Sequence, residues 1–275
     1  MDITKYLDDR KRTMDASVLK FLPKGTKFTS KLREAVLYSL TTGGKRIRPI
    51  LVLEACEAVS GAYKKAIPMA VAIEMIHTYT LIHDDLPAMD DDDFRRGLPT
   101  VHRKFGEDAA ILAGDMLSAL AFQIIAQSYG AVSSRLIEEL SVSLGIGGVL
   151  GGQIADLNAE KRIIGKKELN FIMTHKTADL FVSSVRCGAL IGGAGKTELA
   201  RLTSFARHLG LAFQIIDDIL DYDREQMNNY AALYSLKRAR SAAAGELKLA
   251  LKSLPAGKDH DALRKTAVFL AKRKY

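Results

Sequence analysis

Two apolar stretches that carry clustered acids constrain this chain more than any other feature. The first runs Glu74 to Gly97, EMIHTYTLIHDDLPAMDDDDFRRG, and places six aspartates, Asp84, Asp85 and Asp90 to Asp93, just before Arg95 and Arg96. Leu81 and Ile82 precede the acids directly, so the helix is expected to be partly enclosed. Unpaired carboxylates there would repel one another and their pKa values would rise. Something positive must sit among them. The second stretch, FQIIDDILDYD, runs Phe213 to Asp223 and spaces Asp217 and Asp221 four residues apart, on one helical face, with Asp218 on the flank. Two such helices can face one another and hold divalent cations between them. Hard oxygen donors without a cysteine or histidine cluster point to magnesium, with bound diphosphate as its further ligand.

At 275 residues the chain can bury one sizeable core, and it is read as a single domain, 1–275. Its apolar content, 48 %, is rich in alanine, leucine and isoleucine, which suit helices. No window is read as having the length and freedom from charge of a membrane span. The start, MDITKYLDDRKR, is charged, so neither a signal peptide nor an anchor is expected and the cytoplasm is the expected location. Two cysteines, Cys56 and Cys187, are too few for a disulfide scaffold. A net charge of +8 without a zinc signature, aromatic-basic alternation or a recognition helix argues against nucleic acid and is compatible with drawing in polyphosphorylated substrates.

Helical periodicity is read over 2–21, 29–41, 50–59, from Lys64 into the first acidic cluster, and over 107–127, 132–160, 168–192, 197–222, 229–253 and 260–273. No interval supports alternating strands, so the expected fold is an all-α bundle of about ten helices. GGKRIRP, Gly43 to Pro49, offers Lys45, Arg46 and Arg48 beside a helix start, either as a diphosphate clamp or as a solvated basic turn. Pro87 should kink or close the acidic helix. On an ideal helix Asp91 would return to the azimuth of Asp84, whereas a local bulge would bring Asp90 over it instead. Asp115 is read as a structural acid. Gln153, in GGQIAD, could serve helix packing or the site. Lys176 and Thr177 interrupt an apolar helix, and a buried lysine needs a partner such as diphosphate.

Taken together, GGKRIRP, HDDLPAMDDDDFRRG, GGQIAD, HKTADLF and FQIIDDILDYD resemble the ordered motifs of the trans (head-to-tail) isoprenyl diphosphate synthases, from about Leu32 to Asp223. The resemblance implies an all-helical isoprenoid synthase bundle with a central active-site cavity, in general a homodimer, and no membrane or nucleic-acid partner. It implies about three magnesium ions per site, held by Asp84 and Asp90 on one wall, with Asp85 supporting, and by Asp217 on the other. Asp218 and Asp221 would orient the second group. Arg95, Lys176, Thr177 and Gln214 would surround the allylic diphosphate, and Gly44, Lys45, Arg48, His77 and Arg96 would bind isopentenyl diphosphate. That second set favours chain elongation over terpene cyclisation.

The implied reaction is ionisation of dimethylallyl or geranyl diphosphate, attack by the double bond of isopentenyl diphosphate, and proton loss to the released diphosphate. Tyr79 and Thr80 lie five and four residues before Asp84, where the helix runs back into the core, and would form the floor that limits product length. An aromatic at Tyr79 with DDLPAMD resembles the bacterial farnesyl-forming type. A geranylgeranyl-forming synthase, a terpene cyclase and a non-catalytic partner subunit are the alternatives. One departure stands out: between Asp217 and Lys237 there is no lysine, whereas the family carries a longer loop with glycines and a lysine over the allylic diphosphate. The abrupt junction of DREQ with MNNYAAL is read as the trace of a missing segment.

Overall fold

The computed structural model describes residues 2–160, 162–222 and 228–272, and among them the regular secondary structure is helical except for one short strand pair. In order these are α1 (Ile3–Val18), α2 (Ser30–Thr41), α3 (Ile47–Ser60), α4 (Ile67–Asp84), β1 (Phe94–Arg95), β2 (Leu98–Pro99), α5 (Val101–Phe105) and α6 (Glu107–Ser128). Then come α7 (Ser133–Leu144), α8 (Val149–Ala159), α9 (Lys166–Ile172), a π-helical turn (Met173–Ala178), α10 (Asp179–Gly192), α11 (Lys196–Leu220), α12 (Tyr230–Tyr234), α13 (Leu236–Ser253) and α14 (Asp261–Ala271).

The all-α reading is borne out, and the details differ where backbone conformation breaks a periodic stretch. The helix expected over 132–160 is two, because Gly145, Gly147 and Gly148 occupy the turn between α7 and α8. The one expected over 229–253 is also two, since Ser235 takes φ +84° between α12 and α13. The connection after the acids contains a hairpin that alternation could not reveal in two-residue strands. Its loop is Arg96-Gly97 with φ +54° and +75°, the positive pair that a tight hairpin turn requires.

The Cα framework forms two compact units, one of 1–4, 51–66 and 138–275, the other of 5–50 and 67–137. In the second unit α4 packs on α6, and α4 buries residues on every side, from Met69 to Met75 without a break. In the first unit α11 packs against α10 and α13; Phe181 and Phe205 are fully buried, and the Phe181 and Phe213 rings lie 5.0 Å apart. There the Thr266 hydroxyl of α14 donates to Glu54 of α3 at 2.6 Å, giving a buried carboxylate a partner. Cys56 and Cys187 are buried free thiols.

One expectation is corrected. Two stretches, 107–128 and 130–159, are long and apolar enough to cross a bilayer by composition alone, with mean hydropathy 1.8 and 1.3. Glu107 and Asp108 at the start of the first, and Asp115 within it, masked it. Half of that window is buried within the protein, and the second window contains the turn between α7 and α8, so the test is met as a core helix meets it.

Candidate active site

The first acidic cluster is built by the way α4 ends. The helix stops at Asp84, three residues before Pro87, and the chain then doubles back so that the Asp90 amide donates to the Asp84 carbonyl at 2.8 Å. Asp91 follows with φ +52°, its amide donating to the Leu86 carbonyl at 3.2 Å. The bulge therefore returns the backbone of Asp90, not that of Asp91, to Asp84. Asp85 is buried and accepts from Arg95 Nε at 2.6 Å and Nη2 at 2.5 Å, while Nη2 also reaches Asp92 at 3.3 Å. Burial pushes the Asp85 carboxyl up and the Arg95 guanidinium opposes it. The hairpin explains why adjacent arginines diverge: Arg95 is the last paired residue and turns to Asp85, whereas Arg96, in the turn, donates from Nη1 to the Gly43 carbonyl. Gly44 has φ +131°, and a Cβ on it would come 2.8 Å from Arg96 Nη1. The φ is what favours glycine here, since the guanidinium end of Arg96 could shift to relieve the contact.

The basic loop divides its cations between inside and outside. Arg46 is buried with φ +51°, donating to Asp15 at 2.8 Å, to Glu74 and to the Leu40 carbonyl. It holds the loop to α1, α2 and α4. Glu74 is the acid the sequence reading left without a role, and its place inside an apolar helix was the available signal, since a buried carboxylate demands a cation. Lys45 is exposed, and Arg48 Nη1 donates to His77 Nε2 at 3.1 Å.

Burial, with Arg48, Arg96, Arg95 and Arg46 around it, holds His77 well below the ordinary histidine value of 6.5. The unfolded chain therefore binds the proton that the folded chain refuses, and stability rises with pH up to about 6.5. Urea unfolding between pH 5.5 and 7 is expected to carry a slope of up to about 1.4 kcal/mol per pH unit from this group. His77→Gln should remove that component; an unchanged slope would show that His77 titrates normally.

In the other unit the π-helical turn carries His175, Lys176 and Thr177, and such wide turns recur where side chains are needed at a site. Lys176 Nζ pairs with Asp156 at 2.5 Å. Asp156 stands in the GGQIAD motif, and the need of Lys176 for a partner could have pointed to it. α8 comes so near that a Cβ on Gly152 would lie 2.2 Å from the Lys176 amide nitrogen, the close approach that small residues there were expected to allow. A relay follows: the Thr177 hydroxyl donates to Gln214 Oε1 at 2.6 Å, Gln214 Nε2 to Asp218 Oδ1 at 2.8 Å, and the Tyr230 amide to Asp218 Oδ2 at 2.8 Å. Asp218 is buried, which raises its pKa against those donors, and it orders Gln214 and the start of α12. Asp217 is partly buried one residue earlier, and Asp221 is exposed just past the end of α11, its amide bonded to the Asp217 carbonyl at 2.9 Å. Asp156, Lys176, Thr177, Gln214, Asp218 and Asn229 line a cavity of about 460 Å³ with Met173 and Ile172. Asn228 donates to the Ala159 and Arg162 carbonyls and accepts from the Ile164 amide, a stitch the sequence reading missed. The junction after Asp223 lies outside the described residues.

Tyr79, expected in the floor, is buried on α4, and its hydroxyl pKa is raised by burial and by Asp84 and Asp115. Thr80 is partly buried and donates to the His77 carbonyl at 2.9 Å. Asp115, read as a structural acid embedded in α6, is exposed.

Among the described residues no three carboxylate, histidine or cysteine side chains converge as a metal cage. The aspartates of the two motifs are hard oxygen donors of the kind magnesium takes, one or two carboxylates together with waters and phosphate oxygens.

The polyprenyl synthetase family matches residues 29–231. A farnesyl diphosphate synthase of Geobacillus stearothermophilus is 42 % identical over 92 % of each chain. A geranylgeranyl diphosphate synthase of Cyanophora paradoxa is 46 % identical over 80 % of this chain and 74 % of its own. The crystal structure of an FPP/GFPP synthase from Zymomonas mobilis superposes with a TM-score of 0.92 at 36 % identity, covering 98 % of this chain and 99 % of that one.

Proposed function

Because the chain belongs to the polyprenyl synthetase family and is a prenyltransferase, a trans-prenyl diphosphate synthase, we propose that it extends dimethylallyl and geranyl diphosphate with isopentenyl diphosphate and stops at (2E,6E)-farnesyl diphosphate. The observation that carries the fifteen-carbon stop is the buried Tyr79 ring, one turn and more before Asp84 on α4. The 46 % identity to a geranylgeranyl-forming relative favours a twenty-carbon product as the second reading. Residues 1–275 act as one synthase domain, working as a homodimer in the cytoplasm.

Magnesium would be held by Asp84, Asp90 and Asp217; when bound it supplies Lewis-acid polarisation of the diphosphate oxygens. Arg95 and Lys176 neutralise the allylic diphosphate as its carbon–oxygen bond breaks. Thr177, ordered through Gln214 and Asp218, positions the same end. Gly44, Lys45, Arg48, His77 and Arg96 hold isopentenyl diphosphate, whose double bond attacks the allylic carbon. The proton lost in forming the new double bond goes to the departing diphosphate, so no side chain serves as nucleophile or general base.

Incubation with magnesium, labelled isopentenyl diphosphate and geranyl diphosphate tests the reading by product length. A farnesyl product is expected from the native chain, and Tyr79→Ala should shift it to twenty carbons or more. A native twenty-carbon product would replace the proposed stop, and an unchanged Tyr79→Ala product would remove the floor.

A further inference from the structure

Tyr79 packs against His83, one helical turn further along α4. The two rings meet edge to face, with centroids 5.4 Å apart and planes at 86°. His83 is itself fastened across to α6, where Nε2–H donates to the Ile111 carbonyl at 3.0 Å. The seat for that ring is Gly114: a Cβ there would lie 2.2 Å from His83 Nε2 and 2.5 Å from Cδ2. No side chain larger than hydrogen fits without moving the imidazole. Tyr79 thus has a ring against it that is hydrogen-bonded at one edge and backed by a helix on another, which restricts its rotamers.

We propose that His83 and Gly114 set product length together with Tyr79, as positioning residues that hold the phenol ring across the path of the growing chain. The inference rests on the reading of Tyr79 as the floor, and adds that the floor is rigid only because His83 is seated. An aromatic ring alone, free to swing, would yield to a longer tail. His83 does not touch the reacting carbon in this assignment. Its place directly before Asp84 means that loss of rate by itself would say nothing about chain length, so the readout must be product distribution.

His83→Gln keeps an N–H donor at about the reach of Nε2 and removes the ring. Gly114→Ala keeps the ring and removes its seat. With geranyl diphosphate as primer, each is expected to raise the ratio of longer to native-length product roughly two- to tenfold, the range an edge-to-face ring pair represents. In the double variants with Tyr79→Ala, the distribution should equal that of Tyr79→Ala alone, because both changes act through the same ring. A native product distribution from His83→Gln or Gly114→Ala, alongside a lengthened product from Tyr79→Ala, would overturn the role of His83 and leave the floor standing. An unchanged Tyr79→Ala product would overturn both. Additive lengthening in the doubles would also overturn the proposal, since His83 would then act independently of Tyr79. If His83→Gln does not fold, Gly114→Ala decides by the same distribution.

Discussion

Asp84→Asn is expected to lower kcat/KM for condensation by about a thousandfold, several kcal/mol of lost stabilisation of the leaving diphosphate. Asp90→Asn should fall with it, because the bulge that bonds the Asp90 amide to the Asp84 carbonyl brings the backbones of these two residues together. Asp91→Asn is the contrast. Asp91 is exposed and has φ +52°, a conformation asparagine tolerates, so this variant should stay within about threefold of the native rate. Steady-state assays with labelled isopentenyl diphosphate across a magnesium series would decide it. Loss of activity in Asp91→Asn with Asp84→Asn or Asp90→Asn near native would mean that the acid assignment has the wrong register. Far-UV circular dichroism separates a chemical loss from an unfolded chain.

The largest effect on stability is expected at Arg46. Its guanidinium and the Glu74 carboxylate are each 2 % exposed, and Arg46→Met leaves the acid buried with its cation gone. Removing one partner of such a pair costs about 3–5 kcal/mol. Urea unfolding at pH 7 should show that loss, and adding Glu74→Gln should recover part of it by removing the stranded charge. Recovery is the informative arm, since a variant harmed only by poor packing would be made worse by the second change. A loss below about 1 kcal/mol for Arg46→Met would place the pair among surface ion pairs in its energetic weight. The same variant loosens the loop that carries Gly44, Lys45 and Arg48, so the KM for isopentenyl diphosphate should rise while kcat changes less.

Much of the fold was legible from the sequence, and so were the polar residues that interrupt its apolar helices. Helical periodicity marked the long helices, because burial on one face repeats every turn, and the clustered acids demanded a cation wherever they were placed. Lys176 and Thr177 stood out as polar residues in an apolar helix, and the structure puts them on the π-helical turn. What periodicity misses is backbone that leaves the regular path. Ser235 and the glycine turn after Leu144 split helices that read as continuous, and the Arg96-Gly97 hairpin is too short to show alternation.

The sequence by itself determined an all-helical chain with two aspartate motifs, a basic glycine loop and an aromatic ring a turn and more before Asp84. Those are consequences of residue type and spacing, which local chemistry reads directly. Only the tertiary structure decided that the backbone of Asp90 rather than that of Asp91 meets Asp84, that Arg46 is a buried strut while Lys45 is exposed, that Arg95 and Arg96 part company, and that Lys176 pairs with Asp156. Each of these depends on φ angles in the left-handed region or on contacts between distant segments, and neither is encoded in the period of a single helix.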